Sequence, residues 1–139
     1  MKRLDSYSQP AAPWTRIEML VAAFDGIIER LEQAHQLMVN GEPLKAQPLL
    51  LRSQRIVLAL YEGIDLRHGQ IPANMQKLYL FVLNSIGVGT TLDLPAALNV
   101  LRTIRGGLES IRHTASEMER RGDVSPTFED ARVLKHIVA

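Results

Sequence analysis

Residues 15–38 read TRIEMLVAAFDGIIERLEQAHQLM, and within them Ile17, Leu20, Phe24, Ile27, Leu31, Ala34 and Met38 alternate spacings of three and four without a break. At 3.6 residues per turn these positions form one stripe along a helix of about six or seven turns, and a helix that long needs partners on its apolar side. Thr15 and Glu18 stand in the T-x-x-E relation of a capping box, which marks the start: the hydroxyl accepts from a free first-turn amide and the carboxylate accepts from the cap amide. Trp14, just before the cap, is placed to staple onto the first turn. Gly26 lies inside the helix, where glycine costs about 1 kcal/mol relative to alanine. That cost predicts either close packing against its bare backbone or an ordinary helix crossing.

Outward from this stretch the pattern recurs three times. Gly41 and Pro43 mark a short reversal, glycine for a helix end and proline for the first turn of the next helix. A second helix over about 43–66 turns Ala46, Leu50, Ser53, Val57, Leu60 and Ile64 inward, with Pro48 expected to kink its first turns or delay its start. Leu44, Leu51 and Leu58 recur every seven residues on the same helix, and at about 100° per residue that row lies roughly 145° from the inward stripe. It cannot face the same core. It offers an outer groove for a partner, or a seat for one of the chain's own ends. A third helix over about 71–87 directs Ile71, Met75, Leu78, Val82 and Ile86 inward while Leu80, Phe81 and Leu83 point elsewhere, so it is apolar almost all round and half exposed. Asp93 as cap and Pro95 in the first turn open a fourth helix over about 94–120. Its inward stripe is Leu94, Ala97, Leu101, Ile104, Leu108, Ile111, Ala115 and Met118, with Gly106-Gly107 inside it as a close approach or a bend.

The class is therefore all-α: an antiparallel four-helix bundle over 15–120, an N-terminal extended arm over 1–14 and a C-terminal tail over 121–139. In the tail Phe128, Ala131, Leu134 and Ile137 recur every three residues, which suits a short amphipathic helix that could cover the outer leucine row. The 139 residues include no cysteine, which excludes a disulfide framework, a thiolate metal site and cysteine catalysis. A formal net charge of +1 lacks the positive surplus that drives phosphate-backbone binding, so nucleic acid is not expected as a partner. No run approaches the roughly 18 apolar residues of a membrane span, and Met1-Lys-Arg-Leu-Asp lacks the apolar core of a signal peptide, so a cytoplasmic protein without membrane insertion is expected.

Catalytic and metal constellations are incomplete. Glu32 and His35 have the E-x-x-H spacing of bundle metal sites, but no second copy follows, so no metal and no cofactor is expected and His35 reads as a residue at the core's edge. His35, His68, His113 and His136 all lack the lysine–glycine pair that typically follows a phosphotransfer histidine. No phosphate loop or nucleophile–base pair is present, and Arg102, Arg105 and Arg112 read as a solvated face. The chain is expected not to be an enzyme.

Three stretches resemble the flagellar secretion chaperone FliS family. Glu18-Met-Leu-Val-Ala-Ala-Phe-Asp-Gly26 follows the family's E-L-x-x-x-L-Y-D-G with phenylalanine for tyrosine. Leu50-Leu-Arg-Ser-Gln54-Arg-Ile-Val-Leu-Ala-Leu60 follows I-x-K-A-Q-x-I-I-x-x-L, and His68-Gly-Gln-Ile-Pro-Ala-Asn74-Met-Gln-Lys-Leu78-Tyr79 follows G-G-x-I-A-x-N-L-x-x-L-Y. The resemblance spans about residues 15–112. The family's A-N near the end of helix 3 is replaced around Gly89-Thr90, its tryptophan late in helix 4 is Arg112, and residues 121–139 have no clear counterpart. What the resemblance implies is a chaperone that binds the C-terminal helical segment of newly made flagellin and prevents premature polymerisation, with components of the flagellar export apparatus as further partners. The residues themselves supply a client-binding surface on the outer faces of helices 2 and 3: Leu44, Leu51, Leu58, Tyr61, Leu80 and Leu83. The alternative is a non-catalytic scaffold that buries the same rows in a homodimer.

Overall fold

A computed structural model describes residues 13–64, 70–88 and 93–122. Its elements are α1 (Arg16–Val39), α2 (Pro43–Glu62), α3 (Gln70–Val88) and α4 (Leu94–Arg120). Each helix packs on its neighbour in sequence and α4 closes back onto α1, whereas the backbones of the diagonal pairs stay apart. The start of α1 meets the end of α4, so the two run antiparallel: Thr15 Oγ1 lies 2.8 Å from Ser116 Oγ, and both residues are buried. Four helices in sequential contact with alternating direction form the antiparallel bundle that the stripes predict.

Local chemistry sets the ends. The Thr15 hydroxyl accepts from the Glu18 N–H, and the Glu18 carboxylate accepts from the Thr15 N–H at 2.8 Å, which completes the capping box. After α1, Gly41 takes φ +78° and donates to Met38 O while Glu42 donates to Leu37 O, the paired bonds of a Schellman turn. Only glycine enters that left-handed region without strain, so the reversal into Pro43 depends on it. Asp93 occupies the cap position of α4, but its side chain makes no cap hydrogen bond, contrary to expectation; its carbonyl accepts from the Ala97 N–H.

The core is a column of fully buried side chains: Phe24, Ile27 and Leu31 from α1, Val57 from α2, Val82 from α3, and Leu94 and Leu101 from α4. Burying each large side chain is worth about 1.5–3 kcal/mol against leaving it in water. The Phe24 and Tyr79 rings, centroids 6.2 Å apart and tilted by 36°, bridge the diagonal between α1 and α3. Burial pushes the Tyr79 phenol well above its ordinary pKa.

Several expected inward positions are not inward. In α3, Ile71 is 77% exposed and Leu78 37%, while Tyr79, Val82, Ser85 and Ile86 are buried. A tyrosine and a serine carry part of the true stripe, and a count of aliphatic residues passes over both. In α4, Ile111 is 52% exposed. A row alternating three and four drifts by about 20° per heptad on a straight helix, so by its third heptad it has turned off the core. In α2 the regular helix starts at Pro43 despite Pro48 and stops at Glu62, so Ile64 lies past the Gly63 cap yet still packs on the core. A Cβ on Gly26 would meet only Arg30 of the same helix, with Nη1 at 2.9 Å, so no other helix crosses closely there. Nothing lies within 4 Å of a Cβ on Gly106 or Gly107, which removes the close-approach reading of that pair.

Candidate functional site

Most of the large apolar residues that the core leaves exposed lie on α2 and α3. Met38 at the end of α1, Leu44, Leu50 and Leu51 of α2, and Ile86 and Gly87 of α3 enclose a cleft of about 670 Å³, with Gln47 and Gln54 as its polar rim. Two sequence features open it. Gly87 presents no side chain where a Cβ would come within 3.6 Å of Gln54 Nε2, and α1 stops at Val39, so α2 begins without a helix above Met38.

Leu44 and Leu51 thus line one cleft, as their heptad spacing suggests, and Leu44 is 78% exposed. Leu58 and Leu80 are exposed outside it, and Tyr61 and Leu83 are half-buried against the core. The antiparallel register set by Gln54 beside Gly87 brings Leu58 level with Leu83, and Tyr61 level with Leu80, one and two turns further along. The six residues therefore follow one α2–α3 seam, deep at the Leu44 end and shallow at the Leu80 end. Val39, 59% exposed, stands at the α1 end next to Met38 and was not among the expected site residues.

A second apolar groove, of about 340 Å³, lies on the other flank of α3, where Leu78 and Phe81 face Val100 and Ile104 of α4. The expected surface omits it. The sequence stripe counts Leu78 as inward, and the wheel alone does not show that Phe81 faces α4.

The opposite seam is polar. Arg16 pairs with Glu119, Arg120 with Glu18 at 3.2 Å, Arg105 with Asp25 at 2.8 Å, and Arg102 with Glu32, each joining α1 to α4. Arg102 and Arg105 are therefore inter-helix ties and not merely a solvated face, while Arg112 pairs with Glu109 within α4. Glu32, the carboxylate of the E-x-x-H spacing, faces Arg102, and among the described residues no group of three or more His, Asp or Glu is placed to hold a metal. Burial acts to raise the Glu18 pKa, but the Thr15 N–H and hydroxyl together with Arg120 outweigh it and hold the carboxyl below its ordinary value. No helix among the described residues is long and apolar enough to cross a membrane. The expected arm and tail lie almost wholly outside the described residues, so their coverage of the leucine row does too.

Against known proteins, a family model described as flagellar protein FliS matches residues 6–121. The match reaches beyond the three resembling stretches at both ends and stops where the sequence loses its counterpart. No curated protein and no solved structure matches the chain.

Proposed function

The chain belongs to the flagellar protein FliS family, and on that premise we propose that it is a cytoplasmic export chaperone that holds the C-terminal helical segment of flagellin in the α2–α3 seam until secretion. Family membership carries a flagellar export-chaperone role in general; the client and its seat are the finer reading. The observation that carries them is the cleft of about 670 Å³ continuing into exposed Leu58 and Leu80. An amphipathic segment can lay its apolar face along such a seam, with anchors one helical turn apart entering between the leucines. Ordering a disordered client costs several kcal/mol, so affinity must come from extended apolar burial rather than from one pocket. A client so covered cannot offer the same face to another flagellin subunit.

The test is a sizing run of the full chain with and without flagellin, followed by calorimetric titration with a flagellin C-terminal peptide. A one-to-one complex supports the chaperone. A dimer that ignores flagellin supports the scaffold.

A further inference from the structure

The α3–α4 groove extends past the residues that form its deepest part. Ile71 lies one heptad before Leu78 on α3 and Ile111 one heptad after Ile104 on α4, so each keeps the face of its groove residue, and in antiparallel helices both steps run the same way. The apolar strip therefore continues from Phe81 and Val100 to Ile71 and Ile111, which are 77% and 52% exposed. On α4 the row is Val100, Ile104, Gly107 and Ile111, and Gly107 makes a notch in it: no described atom outside α4's own backbone lies within 4 Å of a Cβ there. The strip opens toward the end of the bundle at which α4 stops and the chain leaves. There Gly122 takes φ +82° and donates to Glu119 O at 3.0 Å, the left-handed turn that ends a helix and takes the chain off its axis.

From this strip and the point where the chain leaves we infer that residues 126–138 of the same chain form a helix that docks in the α3–α4 groove, antiparallel to α4. Their sequence suits the seat. Ser125 and Pro126 stand as cap and first-turn residue, and Phe128, Ala131, Leu134 and Val138 fall within about 120° of one another on a helical wheel. The lengths agree as well. The link from Gly122 to Pro126 reaches at most about 14 Å, which brings the helix start within a turn of the level of Ile111. A helix over 126–138 then spans about 20 Å, against about 17 Å from Ile111 back to Val100. Other arrangements fit less well. The leucine row of α2 lies on the helix diagonal to α4, and its deep end at Leu44 is at the far end of the bundle. Residues 1–14 leave from the near end, but two prolines and the lack of any apolar period deny them a matching face. The inference does not depend on where a client sits, since the docked tail covers one apolar flank of α3 and leaves the α2–α3 seam open.

Hydrogen exchange by mass spectrometry on the full chain tests it. Amides of 126–138 should exchange on the order of tenfold more slowly in the wild type than in Phe128→Asp/Leu134→Asp, the protection expected of a weak contact within one chain. The same variant should speed exchange in 71–81 and 100–111 and leave α1 unchanged, and because its substitutions lie outside the bundle it does not put the fold at risk. Phe81→Asp/Ile111→Asp, at exposed positions and checked by a thermal melt, should release 126–138 to the same degree, whereas Leu51→Asp/Leu58→Asp should not. Equal exchange of 126–138 in the wild type and the tail variant overturns the inference. Release by the α2 pair and not by the Phe81 and Ile111 pair also overturns it, because the tail then sits on the leucine row. Protection of 126–138 that fades on dilution does so too, by placing a second copy's tail in the groove.

Discussion

Ser53 is fully buried in α2 and its hydroxyl has no hydrogen-bond partner among the described residues. A buried hydroxyl left unpaired carries a desolvation cost of about 1–3 kcal/mol that nothing returns. Ser53→Ala, which places the alanine of the family pattern at this step, should therefore stabilise the chain by about 1 kcal/mol and raise Tm by about 3 °C, read by a thermal melt. An unchanged or lower Tm would mean the hydroxyl has a partner. Glu18 is the opposite case, a polar group with every role filled: it caps α1 and pairs with Arg120. Its carboxyl is held below the ordinary 4.5, so its contribution is complete above the unfolded pKa and lost as pH falls through the lower folded value. Glu18→Gln should cost about 1 kcal/mol at neutral pH and flatten the acid limb of stability as pH falls into and below the ordinary carboxylate range, measured by urea midpoints. A parallel shift at every pH would mean that the loss is not linked to ionisation of the Glu18 carboxyl. Thr15 and Glu18 were legible because capping is local, needing only two residues three apart. The burial of Ser53 was legible from its phase, but its missing partner was not, since that depends on what three helices bring to one point.

At the scale of the element, α2 presents two faces that respond oppositely to the same substitution. Val57 is fully buried, and Leu51 and Leu58 are 49% and 44% exposed. Aspartate at Leu51 and Leu58 together should leave the melt nearly unchanged while each costs on the order of 2 kcal/mol of client binding, well over tenfold for the pair. Val57→Asp puts a charge into the core and should unfold the domain. Calorimetry with the flagellin peptide, run beside the melts, separates the faces; wild-type binding by the double variant would place the groove elsewhere. The heptad row of α2 was readable because the drift of about 20° per heptad moves Leu44, Leu51 and Leu58 only slightly within an already outward face. The same drift spoiled the reading of α4 at Ile111, where the row began inward and ran for longer. In α3, apolar on all sides, phase carries little information. The neighbours decided it, with Phe24 of α1 drawing Tyr79 inward in place of Leu78.

Across the whole molecule the bundle has one polar seam and, flanking α3, two apolar ones. Sequence periodicity yields stripes but not which helix stands beside which, so the ties from Arg102 and Arg105 to α1 and the α3–α4 groove emerge only once the register is known. That division bears on dynamics. The side-chain hydrogen bonds of α3, Gln70 to Asn74 and Ser85 to the Phe81 carbonyl, stay within the helix, and Leu78, Leu80 and Phe81 are exposed along it. By contrast α1 is tied to α4 by Thr15–Ser116 and by ion pairs along its length. Local opening free energy follows buried contacts and polar ties, so α3 amides should exchange with solvent ahead of those in α1 in the free chain. A client seated in the α2–α3 seam must be released before α3 can open. At a client concentration about 100 times Kd this adds about 2.7 kcal/mol to the opening cost and slows exchange about a hundredfold there. The α1–α4 seam gains little, because its opening does not require release. Hydrogen exchange by mass spectrometry, with and without the flagellin peptide, reads both halves of the prediction. Protection concentrated on α2 and α3 fits the seam proposed here; protection concentrated on α3 and α4 moves the client to the Phe81 groove; protection centred on α1 would remove it from both.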